Sequence, residues 1–139
     1  MMIDKFQDHY DDHEVQLLSI QTESSEWKER LKIINTEIDF FLELFSSGFT
    51  DELKLKINLE DLQYLKDQLI GVRKINEIHL KTFQEYNIKQ EGLKECDDVQ
   101  CENFYLKDHL IFKKTLTKHF KVFRELKYLI YKYIEINPG

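Results

Sequence analysis

Alanine is absent from this chain of 139 residues, glycine occurs four times and proline once, as Pro138. Each shortage excludes something. Without alanine and with little glycine, helices cannot bring their backbones close together and must stand apart on bulky side chains. No Gly-rich phosphate loop, no Gly-x-Ser-x-Gly elbow and no His-Glu-x-x-His pair occurs, so the common signatures of phosphoryl transfer, acyl transfer and zinc proteolysis are missing. No apolar run approaches the roughly 20 residues that span a bilayer. The opening Met1-Met2-Ile3-Asp4-Lys5-Phe6 lacks the apolar stretch of a secretory signal. A cytoplasmic protein with no membrane contact is the expectation, and its two cysteines, Cys96 and Cys101, are expected to be reduced thiols.

What the chain does contain is a helical period. Ile3, Phe6, Tyr10, His13, Leu17, Ile20, Ser24, Trp27, Leu31, Ile34, Ile38, Phe41 and Phe45 follow one another at alternating steps of three and four, which is a heptad seam. A second seam runs Leu62, Leu65, Leu69, Val72, Asn76, His79, Phe83, Tyr86, and a third Tyr105, His109, Phe112, Leu116, His119, Phe123, Leu126, Ile130, Tyr133. Flanking apolar residues (Ile33, Phe40, Leu44, Ile75, Ile78, Ile111 and Phe120) widen these stripes beyond a bare seam.

Helix breakers separate the three seams. Ser46-Ser47-Gly48-Phe49-Thr50 is the first turn, with Thr50 as a cap ahead of Asp51 and Glu52. The second lies between Gly92, suited to a helix C′ position, and Asp97 or Asp98, either of which can cap the next helix. The third is Asn137-Pro138-Gly139. Residues 1–139 therefore read as a single all-α domain: an up-down-up bundle of three long antiparallel helices with coiled-coil-like packing. The competing arrangement is a four-helix bundle with a break near Ser24, against which stands the unbroken heptad phase through that residue.

Charge is distributed unevenly. The net charge of −6 divides into −9 over residues 1–52, −2 over 53–102 and +5 over 103–139. An acidic first helix and a basic last one can attract each other if they lie side by side. The acidic remainder would repel phosphate, which argues against nucleic acid as the partner.

Turns centred near residues 49 and 94 would bring His9 and His13, one helical turn apart, to the same end of the bundle as Cys96 and Cys101. Two imidazoles and two sulfurs could complete a tetrahedron around zinc. Asp12, Asp97, Asp98 and Glu102 are available as substitute ligands or supports. The same level map sets His79 opposite His109, and His119 close to Trp27. Polar residues on a seam most often fix register. The other bundle chemistries lack their residues: no Glu-x-x-His di-iron motif occurs, and neither His79 nor His109 is followed by the His-x-x-Lys spacing of a phosphotransfer bundle. The acids read as solvated faces paired along a helix, as Glu26 with Arg30.

The sequence thus points to a non-catalytic protein–protein interaction or scaffold module, expected to form a homodimer and to engage a further protein partner. A small zinc-binding bundle using His9, His13, Cys96 and Cys101 is the alternative. A third reading is nucleic-acid binding through the basic last helix, where Tyr128, Tyr131 and Tyr133 stand among Lys127 and Lys132.

Overall fold

The computed structural model describes the backbone of residues 4–46 and 57–135 and the side chains of residues 14–46 and 57–133. Three long helices account for most of them: α1 (Asp4–Leu44), α2 (Leu59–Gln90) and α3 (Val99–Glu135). A 3₁₀ turn, Glu91–Glu95, prolongs α2 before the chain reverses into α3. The architecture is the expected all-α, up-down-up bundle of three helices, with no strand among the described residues.

Helix α1 runs without interruption through Ser24, so the break that would make four helices does not occur. The Ser24 hydroxyl donates to the Ile20 carbonyl at 2.7 Å, which satisfies a buried polar group inside the helix and lets the seam continue through it. Helix α2 begins later than Thr50 would suggest. Asn58 holds extended backbone and its side chain accepts a hydrogen bond from the Asp61 N–H at 2.7 Å, a true N-cap with Glu60 and Asp61 in the first turn. The proposed Thr50 cap lies outside the described residues. Helix α3 begins as expected, with the Asp98 carboxylate accepting from the Cys101 N–H at 2.8 Å.

Gly92 serves a purpose other than the one its position suggested. It sits in the 3₁₀ turn, and a Cβ there would overlap the Tyr105 hydroxyl, so the glycine provides room for α3 to pass. Gly71, in the middle of α2, has open space around it.

The seams form the core. Trp27, Leu31, Ile34, Ile38, Phe41 and Phe45 of α1 bury against Leu65, Leu69, Val72, Phe83 and Tyr86 of α2, and against Phe112, Leu116, Phe120, Phe123, Leu126 and Ile130 of α3. Several of these are wholly excluded from water, among them Leu31, Ile38, Leu65, Leu69, Leu116 and Ile130. Each such burial contributes about 1.5–3 kcal/mol. The flanking residues divide: Phe120 is buried and Leu44 half-buried, but Ile33, Phe40, Ile75, Ile78 and Ile111 remain about half or more exposed.

The charge asymmetry is used internally. Lys113 pairs with Glu23 at 2.6 Å and Lys127 with Glu37 at 2.7 Å, each joining basic α3 to acidic α1. Arg73 pairs with Asp39 between α2 and α1, and Lys89 with Asp108 between α2 and α3 at 2.9 Å. The expected Glu26–Arg30 pair does not form; Arg30 instead lies 4.3 Å over the Phe120 ring, where its cation meets the negative face of the aromatic.

Candidate functional site

Two groups of polar side chains penetrate the apolar core, both built from seam positions. In the first, His109 of α3 is 1% exposed and stacks on the Trp27 indole of α1, ring centroids 4.7 Å apart and planes 21° off parallel. Its Nδ1 is paired with the Tyr86 hydroxyl of α2, and its Nε2 lies 3.1 Å from Glu23 Oε1 of α1. Glu23 Oε2 in turn receives the Lys113 ammonium. The imidazole tautomer that satisfies both contacts carries its proton on Nε2, donates to Glu23 and accepts from Tyr86.

The environment fixes the charge states of the flanking groups. Burial, reinforced by the charges of Asp108 and Glu23 and only partly offset by a hydrogen bond with Ser24, pushes the Tyr86 phenol up to about 12. Burial raises the Glu23 carboxyl, but the hydrogen bonds and charges of Lys113 and His109 outweigh it and leave the group below its ordinary value. The relay therefore holds a neutral phenol, an imidazole and a carboxylate in line, one or more from each helix. Each polar atom faces another inside the bundle, so the arrangement locks the three helices in register.

The second group lies farther along the core, toward the α1–α2 connection. Asn76, wholly buried, donates to the Leu31 carbonyl at 2.7 Å and to Asn35 Oδ1 at 2.8 Å, while its own Oδ1 lies 2.8 Å from His119 Nε2. His119 meets His79 edge to face, ring centroids 4.7 Å apart. Burial, with the charge of His79 adding to it, lowers the His119 imidazole to about 4, and burial alone lowers His79.

These pairings correct the level map. His79 faces His119 rather than His109, and the imidazole near Trp27 is His109 rather than His119. The reason is the length of the turns. The 3₁₀ extension of α2 and the Asp98 cap place the second reversal nearer the start of α3, and the Asn58 cap moves the start of α2 down the chain. Helix α2 is thereby displaced along the bundle relative to both neighbours. Between α1 and α3 the pairs Lys113–Glu23 and Lys127–Glu37 keep the expected offset, whereas Trp27 stacks on a residue nearer the start of α3 than the map gave it, a contact that the displacement of α2 does not explain.

At the end of the bundle, Cys96 and Cys101 are joined in a disulfide with their Cα atoms 5.5 Å apart. This replaces the expected reduced thiols: the capped start of α3 folds Cys101 back to within bridging distance of Cys96. His9 and His13 lie on the early turns of α1, and their side chains are outside the described residues. Among the described residues, no three His, Cys, Asp or Glu side chains group as a metal site. A zinc tetrahedron of His9, His13, Cys96 and Cys101 would belong to the reduced chain only, since disulfide sulfurs offer no thiolate.

Grooves flank the core. One of about 460 Å³ runs between α2 and α3, with Ile78, Thr82, Ile111 and Thr115 along it and the Lys89–Asp108 pair at one end. Another, of about 380 Å³, separates α1 from α2 beside Ser24, Phe83 and Gln90. Gln90 donates to the Tyr105 carbonyl at 3.1 Å, and its Oε1 is the single buried side-chain oxygen or nitrogen without a partner among the described residues.

Comparison with known proteins finds no matching family, no similar curated protein and no similar solved structure. No described helix is long and apolar enough to cross a membrane. The functional reading therefore rests on the geometry.

Proposed function

We propose that this chain is a non-catalytic helical interaction or scaffold module, engaging another protein through apolar side chains that its own core leaves uncovered. One observation carries the reading. Ile78 of α2 and Ile111 of α3 line the α2–α3 groove, Ile75 and Val122 follow them at helical spacing on the same two helices, and the exposures of Ile75, Ile78, Ile111 and Val122 are 48, 61, 57 and 52%. Single exposed apolar residues are ordinary, but their repetition at helical spacing on two adjacent helices suits a surface for another protein. The polar relay suits this role, because it holds the helices presenting the stripe in a fixed relation.

A photo-reactive residue placed at Ile78 or Ile111 in cells should give a discrete protein adduct that is lost when the other position becomes lysine. The same probe at Lys81, on the back of α2, should give none. Equal labelling from all three positions, or no adduct from any, would sink the reading.

A further inference from the structure

Helix α3 carries eight lysines and arginines, and the bundle engages two of them: Lys113 on Glu23 and Lys127 on Glu37. The other six, Lys107, Lys114, Lys118, Lys121, Arg124 and Lys132, are exposed and have no carboxylate partner among the described residues. Five of the six share one stripe. Lys107, Lys114, Lys118, Lys121, Glu125, Tyr128 and Lys132 follow at steps of seven, four, three, four, three and four, on the side of α3 away from the core. Glu125 is the one acid among them. The stripe is about 38 Å long at 1.5 Å per residue.

At its far end the stripe gains aromatic rings. Arg124, Lys127, Tyr128 and Tyr131 wall a shallow notch of about 230 Å³ on α3. Tyr128 is 65% exposed. Tyr131 is 41% exposed and held from behind by the buried Phe41 ring, centroids 5.9 Å apart. Two phenol rings beside an unpaired guanidinium form a surface on which a flat aromatic group can stack.

We infer that the outer face of α3 binds single-stranded nucleic acid without sequence preference, phosphates lying along Lys107 to Lys132 and a base stacking at Tyr128 and Tyr131. A long row of cations selects an extended anion, and the ring-lined notch selects one that carries flat groups. A single strand has both, phosphates at regular intervals and bases free to stack. A lipid surface fits less well, since an inserting helix needs an apolar stripe where this one has lysines. A duplex is wider than one helix and would carry phosphates toward exposed acids of the neighbouring helices, such as Glu85 in the α2–α3 groove. Acids farther round the bundle repel the strand only weakly, because at physiological salt a charge is screened over about 8 Å, less than one helix diameter. The stripe lies outside the α2–α3 groove, so the inference does not depend on the protein partner proposed there.

Fluorescence anisotropy of the full chain with a labelled oligothymidylate of about 20 nucleotides, across a range of salt, tests it. Affinity should fall as salt rises, with a log–log slope of about −3.5 to −4, as five or six phosphate contacts on a single strand require. Lys114→Glu/Lys121→Glu should weaken binding at least about tenfold and flatten the slope by about 1.4. Tyr128→Ala should weaken it about tenfold with the slope unchanged. Lys74→Glu/Lys81→Glu, on the back of α2, alters net charge equally and should leave affinity within about twofold. All these side chains are exposed, so circular dichroism should show the fold unchanged in each variant. No binding at low salt, equal losses from the two lysine pairs, or an unaffected Tyr128→Ala would overturn the inference. So would polyglutamate that displaces the oligonucleotide as well as unlabelled strand does, which marks a surface for acidic peptide. Tighter retention on phosphatidylserine vesicles than on the oligonucleotide would overturn it in favour of a lipid surface.

Discussion

At the scale of the residue, the core is decided by a few polar side chains that have been given partners. His119 is the most sensitive of them. In the folded chain burial and the neighbouring His79 hold its imidazole at about 4, against 6.5 when it is free. Below 6.5 the unfolded chain thus binds a proton that the folded chain refuses, so stability is complete above that value and is lost as pH falls toward about 4. The loss attributable to this one group is about 3 kcal/mol, and His79, lowered for the same reason, adds in the same direction. Urea unfolding followed across that window should show the decline in wild type and a shallower one in His119→Gln, which keeps a donor for Asn76. An equal slope in the two proteins would mean that other groups govern acid stability. Gly71 offers the opposite kind of change. It sits in the interior of α2, nothing lies within reach of an added Cβ, and glycine is the poorest ordinary helix residue there. Gly71→Ala should stabilise the protein by about 0.5–1 kcal/mol, read as a higher urea midpoint at unchanged slope. A lower midpoint would show that the open space is needed.

At the scale of the element, the faces of the helices were legible and their axial offsets were not. Heptad spacing picked out Leu31, Leu65, Leu69, Leu116 and Ile130, all wholly buried, and it carried α1 correctly through Ser24. Spacing reports which side of a helix is apolar and is silent on how far one helix slides past the next. That distance is set by the connections: the Asn58 cap and the 3₁₀ turn after Gln90 displaced α2, so that His79 meets His119 and Tyr86 meets His109. Asn58 followed by Leu59-Glu60-Asp61 was a readable cap signal; the 3₁₀ turn had none beyond Gly92. Trp27 stacking on His109, and Glu23 reaching the same imidazole, depend on the relation of α1 to α3 and on side-chain reach, neither of which can be read from spacing. The disulfide belongs to this scale, since it closes the α2–α3 connection. Because only four residues separate Cys96 from Cys101, the chain entropy it removes from the unfolded state is small, about 2 kcal/mol. Cys96→Ser/Cys101→Ser, or reductant added to the wild type, should lower the thermal midpoint by a matching amount without changing helical content. No shift in either case would mean that the bridge contributes nothing to the folded state. Titration of the oxidised chain with a thiol reagent should find no free sulfhydryl.

At the scale of the whole molecule, the bundle is uneven from end to end. Toward the α1–α2 connection the three helices meet mainly over aliphatic and aromatic side chains (Leu31 to Phe45, Leu65 to Val72 and Leu116 to Ile130), with Asn76 and His119 as a buried, mutually bonded polar insertion. Past Trp27 the contacts become polar. Ser24, Glu23, Tyr86 and His109 occupy the interior there, Gln90 keeps an oxygen without a partner, and the α1–α2 groove opens beside them. Apolar burial per residue is therefore concentrated in one half. Local opening free energy follows buried apolar contact. Amide exchange in the native state should accordingly divide the molecule in two. Amides of residues 31–45, 65–76 and 116–130 should exchange only through global unfolding, with a denaturant dependence equal to that of the equilibrium transition. Amides of residues 14–22 of α1 and 88–106 around the α2–α3 connection should exchange through a smaller opening, with a shallower dependence. Because that connection carries the disulfide, its reduction should speed exchange in the second group and leave the first tied to global stability. One common rate-limiting opening for both halves would show that the His109 relay transmits the stability of the apolar half across the polar one. The core would then act as a single cooperative unit despite its composition.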